Sequence, residues 1–379
     1  MADFKYKLFD KMIEEFAVNE VKPLAAEVDE TEQFPYETVK KMAKLGLMGI
    51  IVPKQYGGMG GDYKMYIKAV EELSKYCATT GVILSAHSSL CVAPILEFGT
   101  EEQKQKYLPK LASGEWLGAF GLTEPNAGTD ANNQTTTAVP DATGENYILN
   151  GSKIFITNAG PAHVYFVIAV VGRNPKGVEC AAFIVEKDMP GFSIGKKEKK
   201  MGIRGSSTCE LIFQNCVVPA KNMVGKPGEG FKLAMKTLDG GRIGIAAQAL
   251  GIAEGALQET VNYTKERVQF RRSISAFQNT QFALADLKTR VEAARGLLAG
   301  AVEAKQTKSR DVSVRAAMAK LFCAETAMAV TTKAVQYHGG YGYTREYPVE
   351  RMMRDAKITE IYEGTSEVQR MVISASLLK

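Results

Sequence analysis

Several short motifs that would reveal a metal or a cofactor are missing from this chain. Its six cysteines form no C-x-x-C pair and its three histidines lack metal-ligand spacing, so we predict no structural metal site. No G-x-G-x-x-G or Walker loop occurs, because in the glycine-rich bend at 57–61 the third glycine of the dinucleotide fingerprint would fall at Tyr63. We interpret this bend as a loop between helices, and no cofactor is predicted on a Rossmann or P-loop basis.

Export signals and a strong net charge are also missing. The N-terminal residues lead straight into amphipathic sequence without an apolar signal region, and no apolar run approaches about 20 residues. The net charge of +5 is mild, and its densest basic run, Lys196 to Lys200, is more simply a solvated turn than a phosphate site. Six scattered thiols indicate reduced, mostly buried cysteines. We therefore expect a cytoplasmic protein that binds neither nucleic acid nor membranes.

The hydrophobic pattern that is present changes twice along the chain. With 379 residues, two or three domains are expected. Apolar residues recur at helical spacing in the first third, where we expect one helix from Pro35 to Gly46 and another opened by a T-x-x-Q capping box of Thr100 and Gln103. Short β-branched runs separated by Gly, Pro and Asn follow Trp116, among them separate strands at 147–149 and 154–157. Helical spacing returns from Phe231, and one of its stripes is Leu287, Val291, Ala294, Leu298 and Ala301. We predict an α+β multidomain fold: an N-terminal all-α domain (1–117), a middle antiparallel β domain (118–228) that forms a sandwich or barrel, and a C-terminal four-helix bundle (229–379).

One acidic residue near the C-terminus is a candidate for proton chemistry. Glu363 lies between Tyr362 and Gly364, just before a helix start that the S-x-x-Q spacing of Ser366 and Gln369 predicts as a capping box. A carboxylate there would lie on a turn. Most loop glutamates are solvated surface residues, so the catalytic interpretation needs support from the rest of the chain.

That support comes from four strings. They are LTEPNAGTD at 122–130, NGSKIFITN at 150–158, QYHGGYGY at 336–343 and IYEGT at 361–365. They resemble, in order and spacing, the signature sequences of the acyl-CoA dehydrogenases. The resemblance covers essentially the whole chain and is closest to the short-chain (butyryl-CoA) dehydrogenases of anaerobic bacteria.

The resemblance implies a reaction. It is the FAD-dependent α,β-dehydrogenation of a short-chain acyl-CoA to the trans-2-enoyl-CoA, or the reverse reaction. The overall resemblance favours butyryl-CoA as the substrate. Electrons would be exchanged with an electron-transferring flavoprotein. Glu363 would be the base, and its backbone N–H, with a flavin ribityl hydroxyl, would hold the thioester carbonyl. A second lineage of the family carries its base where this chain has Gly241, which cannot do proton chemistry.

Two alternatives share the fold. An acyl-CoA oxidase would pass electrons to oxygen, and peroxide release would distinguish it. A non-catalytic acyl-CoA-binding protein would tolerate loss of the base, and the presence of Glu363 with both flavin strings argues against it. The resemblance also implies a homotetramer, arranged as a dimer of dimers, with FAD at a subunit interface.

The family pattern assigns further site residues by position. The FAD-binding residues would be Phe120, Leu122, Thr123, Gly128, Phe155, Thr157, Arg267, Phe270, Gln278, Gln336, Gly339, Gly340, Thr365 and Glu367. The substrate-binding residues would be Thr129, Asp239, Arg242, Tyr362 and Gly364. Without the family, Phe155 and Thr157 are alternating strand residues, and Asp239 and Arg242 are an ordinary i,i+3 ion pair.

One stretch departs from the family pattern. Phe270 is followed by Arg271 and Arg272, where the family usually has a glycine and then a variable residue. Arg267, Phe270 and Gln278 match positions that reach the pyrophosphate and adenosine of a neighbouring subunit's FAD. The paired arginines would either strengthen pyrophosphate binding or crowd the turn.

Overall fold

Helices form the first part of the chain in the computed structural model, which describes residues 2–175 and 177–378. The α-helices are α1 (Ala2–Phe16), α2 (Ala25–Thr31), α3 (Tyr36–Lys44), α4 (Tyr63–Tyr76), α5 (Ala78–Ser85), α6 (Ala93–Phe98) and α7 (Glu101–Ser113). Two local signals are confirmed. Helix α3 begins after Pro35 and ends just before Gly46, which has φ +75°, and the predicted capping box of Thr100 and Gln103 opens α7 with both of its hydrogen bonds. The 57–61 bend is a loop before α4.

A long apolar helix crosses this first region. Helices α5 and α6 are joined by a π-helical segment, Ala86–Val92, and the resulting span Ala78–Phe98 has 21 residues and a mean hydropathy of 1.5. As expected, no unbroken apolar run reaches about 20 residues, because Thr, Ser and His residues interrupt this stretch, but the helix as a whole is long and apolar enough to pass a length-and-composition test for a membrane span. The most apolar window of this helix is 78% buried inside the protein, as in a core helix, and length and composition alone are weak evidence for a membrane span.

The middle of the chain folds into a sheet. Its strands are β1 (Gly118–Gly121), β2 (Thr137–Pro140), β3 (Asn146–Thr157), β4 (Val164–Asn174), β5 (Gly177–Glu186), β6 (Phe192–Lys197), β7 (Thr208–Pro219) and β8 (Met223–Val224). The order is β6-β7-β3-β2-β4-β5-β8, with β1 beside β4. Strand β1 pairs with β4 in parallel, and Thr137 of β2 pairs with Val170 in parallel, so the sheet is mixed where an antiparallel one was expected. Strands β2 and β3 lie between β1 and β4 in the chain, and this long connection allows β4 to run parallel to β1.

Strand β3 joins two runs that were expected to be separate strands. Its pairing with β7 shifts register between Leu149 and Gly151, and again between Lys153 and Ile156. Gly151 has φ +137°, and a Cβ there would lie 2.7 Å from Thr136 Cα, so the glycine marks a β-bulge with close backbone approach. The second irregularity includes Phe155, whose φ is +59°.

Helices return after the sheet. They are α8 (Gly230–Glu266), α9 (Gln278–Gln306), α10 (Val312–His338), α11 (Val349–Ile358) and α12 (Ser366–Leu377), with a small hairpin of β9 (Val268–Gln269) and β10 (Arg272–Ser273) between α8 and α9. Helix α8 packs on α9, α10 and α4. Gly251 and Gly255 permit the approach of α4, because Cβ atoms there would lie 3.1 Å and 3.0 Å from the carbonyl carbons of Glu71 and Lys75.

The predicted stripes form the core. Leu287, Val291, Ala294, Leu298 and Ala301 of α9 are buried in one cluster with residues of α1, α4, α8 and α10. All six cysteines are buried free thiols, which agrees with the expectation from their scattered spacing. The order of helical, strand-rich and helical regions is confirmed, and the boundaries at 117 and 228 stay a prediction.

Candidate active site

The candidate acid lies on a strained turn between α11 and α12. Glu363 has φ +53° and Gly364 has φ +95°, so two successive residues adopt left-handed conformations. The predicted capping box was wrong, because Thr365 is the N-cap of α12 and its hydroxyl accepts from Val368 N at 3.3 Å, while Ser366 is already helical. Thr365 was expected to bind FAD and lies at the base of this turn.

Two side chains from different helices converge on the carbonyl oxygen of Gly364. Lys320 Nζ, from α10, donates to it at 2.7 Å, and Gln369 Nε2, from α12, donates at 2.8 Å. Gln369 Nε2 also lies 3.4 Å from the carbonyl oxygen of Glu363. Lys320 is fully buried, with 0% of its surface exposed. The amide that was expected to cap a helix therefore fixes the turn.

The Glu363 carboxylate is turned away from water. The residue as a whole is half-buried, yet Oε2 is buried and has no hydrogen-bond partner within residues 2–175 and 177–378. Burial raises the pKa of Glu363 to about 8, although the positive charges of Lys320 and Arg242 oppose the rise. The solvated-surface interpretation thus does not describe this carboxylate. Its backbone N–H also has no acceptor in the described part of the chain.

Gly241 of α8 faces the same carboxylate. A Cβ at this position would lie 2.8 Å from Glu363 Cδ, nearer still to Oε2, and 2.8 Å from Leu90 Cδ2. Leu90 belongs to the buried π-helical segment between α5 and α6. Any side chain at 241 would therefore displace the Glu363 carboxyl group or the π-helical segment.

Hydroxyl groups of two half-buried tyrosines lie near the carboxylate. The Tyr362 hydroxyl donates to Gln248 Oε1, and Gln248 Nε2 donates to the carbonyl oxygen of Ala78 at 3.0 Å. Tyr63 donates to the carbonyl oxygen of Gly240 at 3.0 Å. Burial, reinforced by the Glu363 charge, holds the pKa values of Tyr362 and Tyr63 well above the ordinary range. These two tyrosine hydroxyls are therefore uncharged at neutral pH.

Asp239 and Arg242 form the ion pair that their spacing allowed. Arg242 Nη1 lies 3.0 Å from Asp239 Oδ1 on one face of α8, and the Ser313 hydroxyl of α10 donates to Asp239 Oδ2. Both residues are buried. Arg242 Nε is buried without a partner among the described residues, so this pair keeps one donor free for a ligand.

The two strings of the sheet domain meet. Ile154 N donates to the carbonyl oxygen of Thr123 at 2.8 Å. The fully buried Lys153 donates to the carbonyl oxygen of Leu122 at 3.1 Å and to Glu124 Oε1 at 2.7 Å. Burial opposes ionisation of Glu124, but the Lys153 charge and hydrogen bonds from Thr135 and Thr136, just before β2, lower its pKa to about 2. The sequence analysis missed this pair, although a lysine inside an apolar strand was a signal for it.

An exposed aromatic side chain stands beside these strings. Phe155 is 61% exposed despite its size and has φ +59°, which is strained for a residue with a bulky side chain. Thr123 and Thr157 are half-buried, and Gly128 and Thr129 are exposed. Phe120 and Leu122 are buried beneath them and pack in the core. A ring held out of the core over a hydroxyl-bearing surface fits the face of a flat cofactor such as a flavin.

A second group of predicted residues lies elsewhere on the chain. Arg267, Gln336, Gly339 and Gly340 line an open depression of about 470 Å³, where the Arg267 guanidinium lies 5.6 Å from the centre of the Tyr341 ring. Within the described residues, no hydrogen bond, ion pair or ring contact joins the residues lining this depression to the strings of the sheet. One chain therefore presents two separate groups of predicted FAD ligands.

The paired arginines lie at the tip of the β9–β10 hairpin. Phe270 and Arg271 have φ +51° and +64°, so both turn residues are left-handed, as in the tight turns that favour glycine. Phe270 is 88% exposed. The Arg272 guanidinium lies 4.1 Å from the centre of the Phe277 ring, so Arg272 is stacked on the protein. Gln278 begins α9 and is exposed, and so is Glu367 in the first turn of α12.

Family models match almost the whole chain. Residues 5–115 match the acyl-CoA dehydrogenase N-terminal domain, residues 119–216 the middle domain and residues 228–378 the C-terminal domain.

Individual relatives agree with these matches. The short-chain specific acyl-CoA dehydrogenase of Clostridium acetobutylicum is 61% identical over 98% of both chains. The butyryl-CoA dehydrogenase structure from Megasphaera elsdenii is 52% identical over 98% of both chains, with a TM-score of 0.96. A chain from a structural study of the electron transferring flavoprotein of Acidaminococcus fermentans is 55% identical, covers 98% of this chain and 97% of that one, and has a TM-score of 0.94. An acyl-CoA dehydrogenase from Bacillus anthracis, solved in complex with FAD, is 36% identical over 99% of this chain and 68% of that one, with a TM-score of 0.93.

Proposed function

Because the chain belongs to the acyl-CoA dehydrogenase family, we propose that it converts butyryl-CoA to the trans-2-enoyl-CoA, or catalyses the reverse reaction. The chain is a flavoprotein oxidoreductase that acts on a CH–CH group with FAD as its cofactor. Its function is that of a short-chain acyl-CoA dehydrogenase. The four-carbon substrate is supported by the resemblance to the butyryl-CoA dehydrogenase of Megasphaera elsdenii.

The observation that carries this proposal is the burial of the Glu363 carboxyl group. A buried carboxyl group with an unpartnered Oε2 and a pKa of about 8 is a strong base once ionised. The protons next to a thioester carbonyl are weakly acidic, so their removal needs such a base held within hydrogen-bond reach. In this role Glu363 accepts the α proton of the acyl group.

The turn also offers a donor for the substrate's carbonyl oxygen. Negative charge grows on that oxygen as the α proton leaves. The backbone N–H of Glu363 has no acceptor within the described residues, and in this proposal it donates to the thioester carbonyl. Lys320 and Gln369 hold the adjoining carbonyl of Gly364, so this donor is fixed in place before the substrate arrives.

Residues of the sheet domain would hold the flavin ring. Phe155 would cover a ring face, and Thr123, Gly128 and Thr157 would contact the ring; the exposed, strained Phe155 supports this assignment. Phe120 and Leu122 support the surface from beneath, and Thr365 and Glu367 contribute from the start of α12. Bound FAD supplies the acceptor for the hydride that leaves the β carbon.

Other residues would bind the remaining parts of both ligands. Tyr362 and Gly364 enclose the thioester, Arg242 with Asp239 contacts the acyl-CoA through the free Nε donor, and Thr129 contacts it from the sheet domain. Arg267, Phe270, Gln278, Gln336, Gly339 and Gly340 would reach the FAD of a neighbouring subunit. Their separation from Phe155 within one chain supports a site completed by a second copy.

This arrangement leads to an assembly and an electron partner. We propose a homotetramer, built as a dimer of dimers, because a site that needs a second copy favours closed symmetry. We also propose an electron-transferring flavoprotein as the electron partner, supported by the 55% identity to the chain from the Acidaminococcus fermentans study. The proposed location is the cytoplasm, on the basis of six buried free thiols.

The experiment is anaerobic titration of the purified protein with acyl-CoA thioesters of increasing chain length. The protein should be yellow, and its flavin absorbance should bleach most rapidly with butyryl-CoA. A colourless protein that cannot be reconstituted with FAD would contradict the proposal. An acyl-CoA oxidase would instead release stoichiometric peroxide in air, and a non-catalytic binding protein would bind the thioester without any bleaching.

A further inference from the structure

We propose that Lys320 is a positioning residue that holds the Glu363–Gly364 turn in its reactive conformation through the carbonyl oxygen of Gly364. The inference rests on the proposed function, since it concerns the same base. Lys320 occurs in none of the four signature strings, and it contributes no atom to the reacting groups. Its effect on the reaction would pass entirely through the turn.

The contact itself is the first reason. Lys320 lies on α10 and has none of its surface exposed, so its ammonium group cannot be solvated. Its Nζ donates at 2.7 Å to a carbonyl oxygen in a turn that is distant in sequence. An apolar side chain at this position would avoid the free-energy cost of burying an ammonium group. The hydrogen bond to the Gly364 carbonyl oxygen therefore explains why a lysine stands here.

The conformation of the turn is the second reason. Glu363 and Gly364 both have positive φ, and a left-handed conformation is unfavourable for a residue with a side chain. Such a conformation persists only when surrounding contacts determine it. Lys320 and Gln369 supply these contacts from two different helices, and both act on the residue directly after the base.

The positive charge of Lys320 also affects the pKa of Glu363, and this effect can be measured. Glu363 faces Lys320 from α10, Arg242 from α8, the hydroxyls of Tyr63 and Tyr66 from α4, and the adjacent Tyr362. Lys320 in turn faces Glu363, Arg242, Glu360 and Glu367. Because its positive charge favours the ionised form of Glu363, loss of that charge would raise the pKa of the base further.

The test compares two substitutions that separate the hydrogen bond from the charge. Lys320→Met keeps the length of the side chain and removes both. Lys320→Gln keeps a donor for the Gly364 carbonyl and removes the charge. Lys357→Met is the matched control, because Lys357 of α11 is exposed and pairs with Glu360 at 2.6 Å close to the same turn.

Three quantities are measured on each FAD-loaded variant. They are the rate of anaerobic flavin reduction by butyryl-CoA as a function of pH, the FAD content, and the hydrogen–deuterium exchange of peptides that cover residues 359–369. For Lys320→Met, we expect the limiting rate to fall by about 10- to 100-fold, as for loss of one hydrogen bond to a charged group, with FAD content retained. Exchange in the turn should accelerate, and the midpoint of the pH profile should move to higher pH.

The other variants decide the interpretation. Lys320→Gln should recover most of the limiting rate and the slow exchange while keeping the shifted pH midpoint, and Lys357→Met should match the wild type. The proposal is overturned if Lys320→Met leaves the rate, pH midpoint and exchange unchanged, or if its rate falls only in proportion to lost FAD. If the wild type itself shows no flavin reduction with any acyl-CoA, the proposed function fails, while faster exchange in Lys320→Met would still support the anchoring of the turn.

Discussion

The contact between Gly241 and the candidate base leads to a quantitative prediction. In Gly241→Ala, the new Cβ would lie 2.8 Å from Glu363 Cδ and from Leu90 Cδ2, whereas carbon atoms in contact normally lie about 3.5–4.0 Å apart. Both contacts would be too short by roughly 1 Å, so the surrounding side chains must move to relieve them. The carboxyl group is the end of a flexible side chain, while Leu90 is fixed in a buried π-helical segment, so Glu363 should move.

The expected effect on the reaction is large and the effect on stability is small. A misplacement of about 1 Å can reduce the rate by about 10²-fold, so flavin reduction by butyryl-CoA should slow by roughly that factor. Overpacking a core costs about 1–3 kcal/mol, and replacing a helical glycine by alanine recovers up to about 1 kcal/mol. The free energy of unfolding should therefore fall by no more than about 2 kcal/mol.

The assay is stopped-flow flavin reduction, together with thermal unfolding and FAD content. Gly296→Ala is the matched control, because Gly296 also lies in a long helix and a Cβ there would meet no described atom within 4 Å. That variant should keep the wild-type rate. A Gly241→Ala enzyme that reduces its flavin at the wild-type rate would refute the inferred contact between Gly241 and the base.

Three further predictions address other parts of the chain. Since the base acts only when ionised and burial raises the pKa of Glu363 to about 8, kcat/KM for butyryl-CoA should rise with pH and level off above about pH 8; a profile that is flat from pH 6 upward would contradict this. Lys153→Met leaves the buried Glu124 carboxylate unpaired and should lower the free energy of unfolding by about 3–5 kcal/mol in chemical denaturation, whereas an effect below about 1 kcal/mol would show that the pair is not desolvated. Arg271→Gly removes the backbone strain of a left-handed residue, so it should raise the free energy of unfolding by up to about 1 kcal/mol and raise the melting temperature. A lower melting temperature would indicate that Arg271 makes a stabilising contact.

Much of the fold could be predicted from local signals. Helical stripes, the Thr100 capping box and the change in texture after Trp116 all reflect short-range preferences that the structure retains. The parallel pairing of β1 with β4 could not be predicted, because alternation along a strand does not reveal its partner. The apolar helix at 78–98 was missed because scattered Ser, Thr and His residues interrupt its apolar runs, although all of them are buried.

The candidate site was predicted less completely. Glu363 was found from its turn context and the family resemblance, but Thr365 and Ser366 are adjacent hydroxyl residues, and spacing alone chose the wrong one as the helix cap. Lys320 and Lys153 were missed for a common reason. A lysine in a helix or strand is usually solvated, and only the tertiary structure shows that these two are fully buried beside carbonyl or carboxylate oxygens.

The most direct test of the central claim is single-turnover flavin reduction in Glu363→Gln. The amide keeps the shape of the side chain but cannot accept the α proton, so reduction by butyryl-CoA should slow by about 10²–10⁴-fold or more. FAD content, melting temperature and the spectral shift on ligand binding should remain close to those of the wild type. Flavin reduction at near the wild-type rate would contradict the assignment of Glu363 as the base.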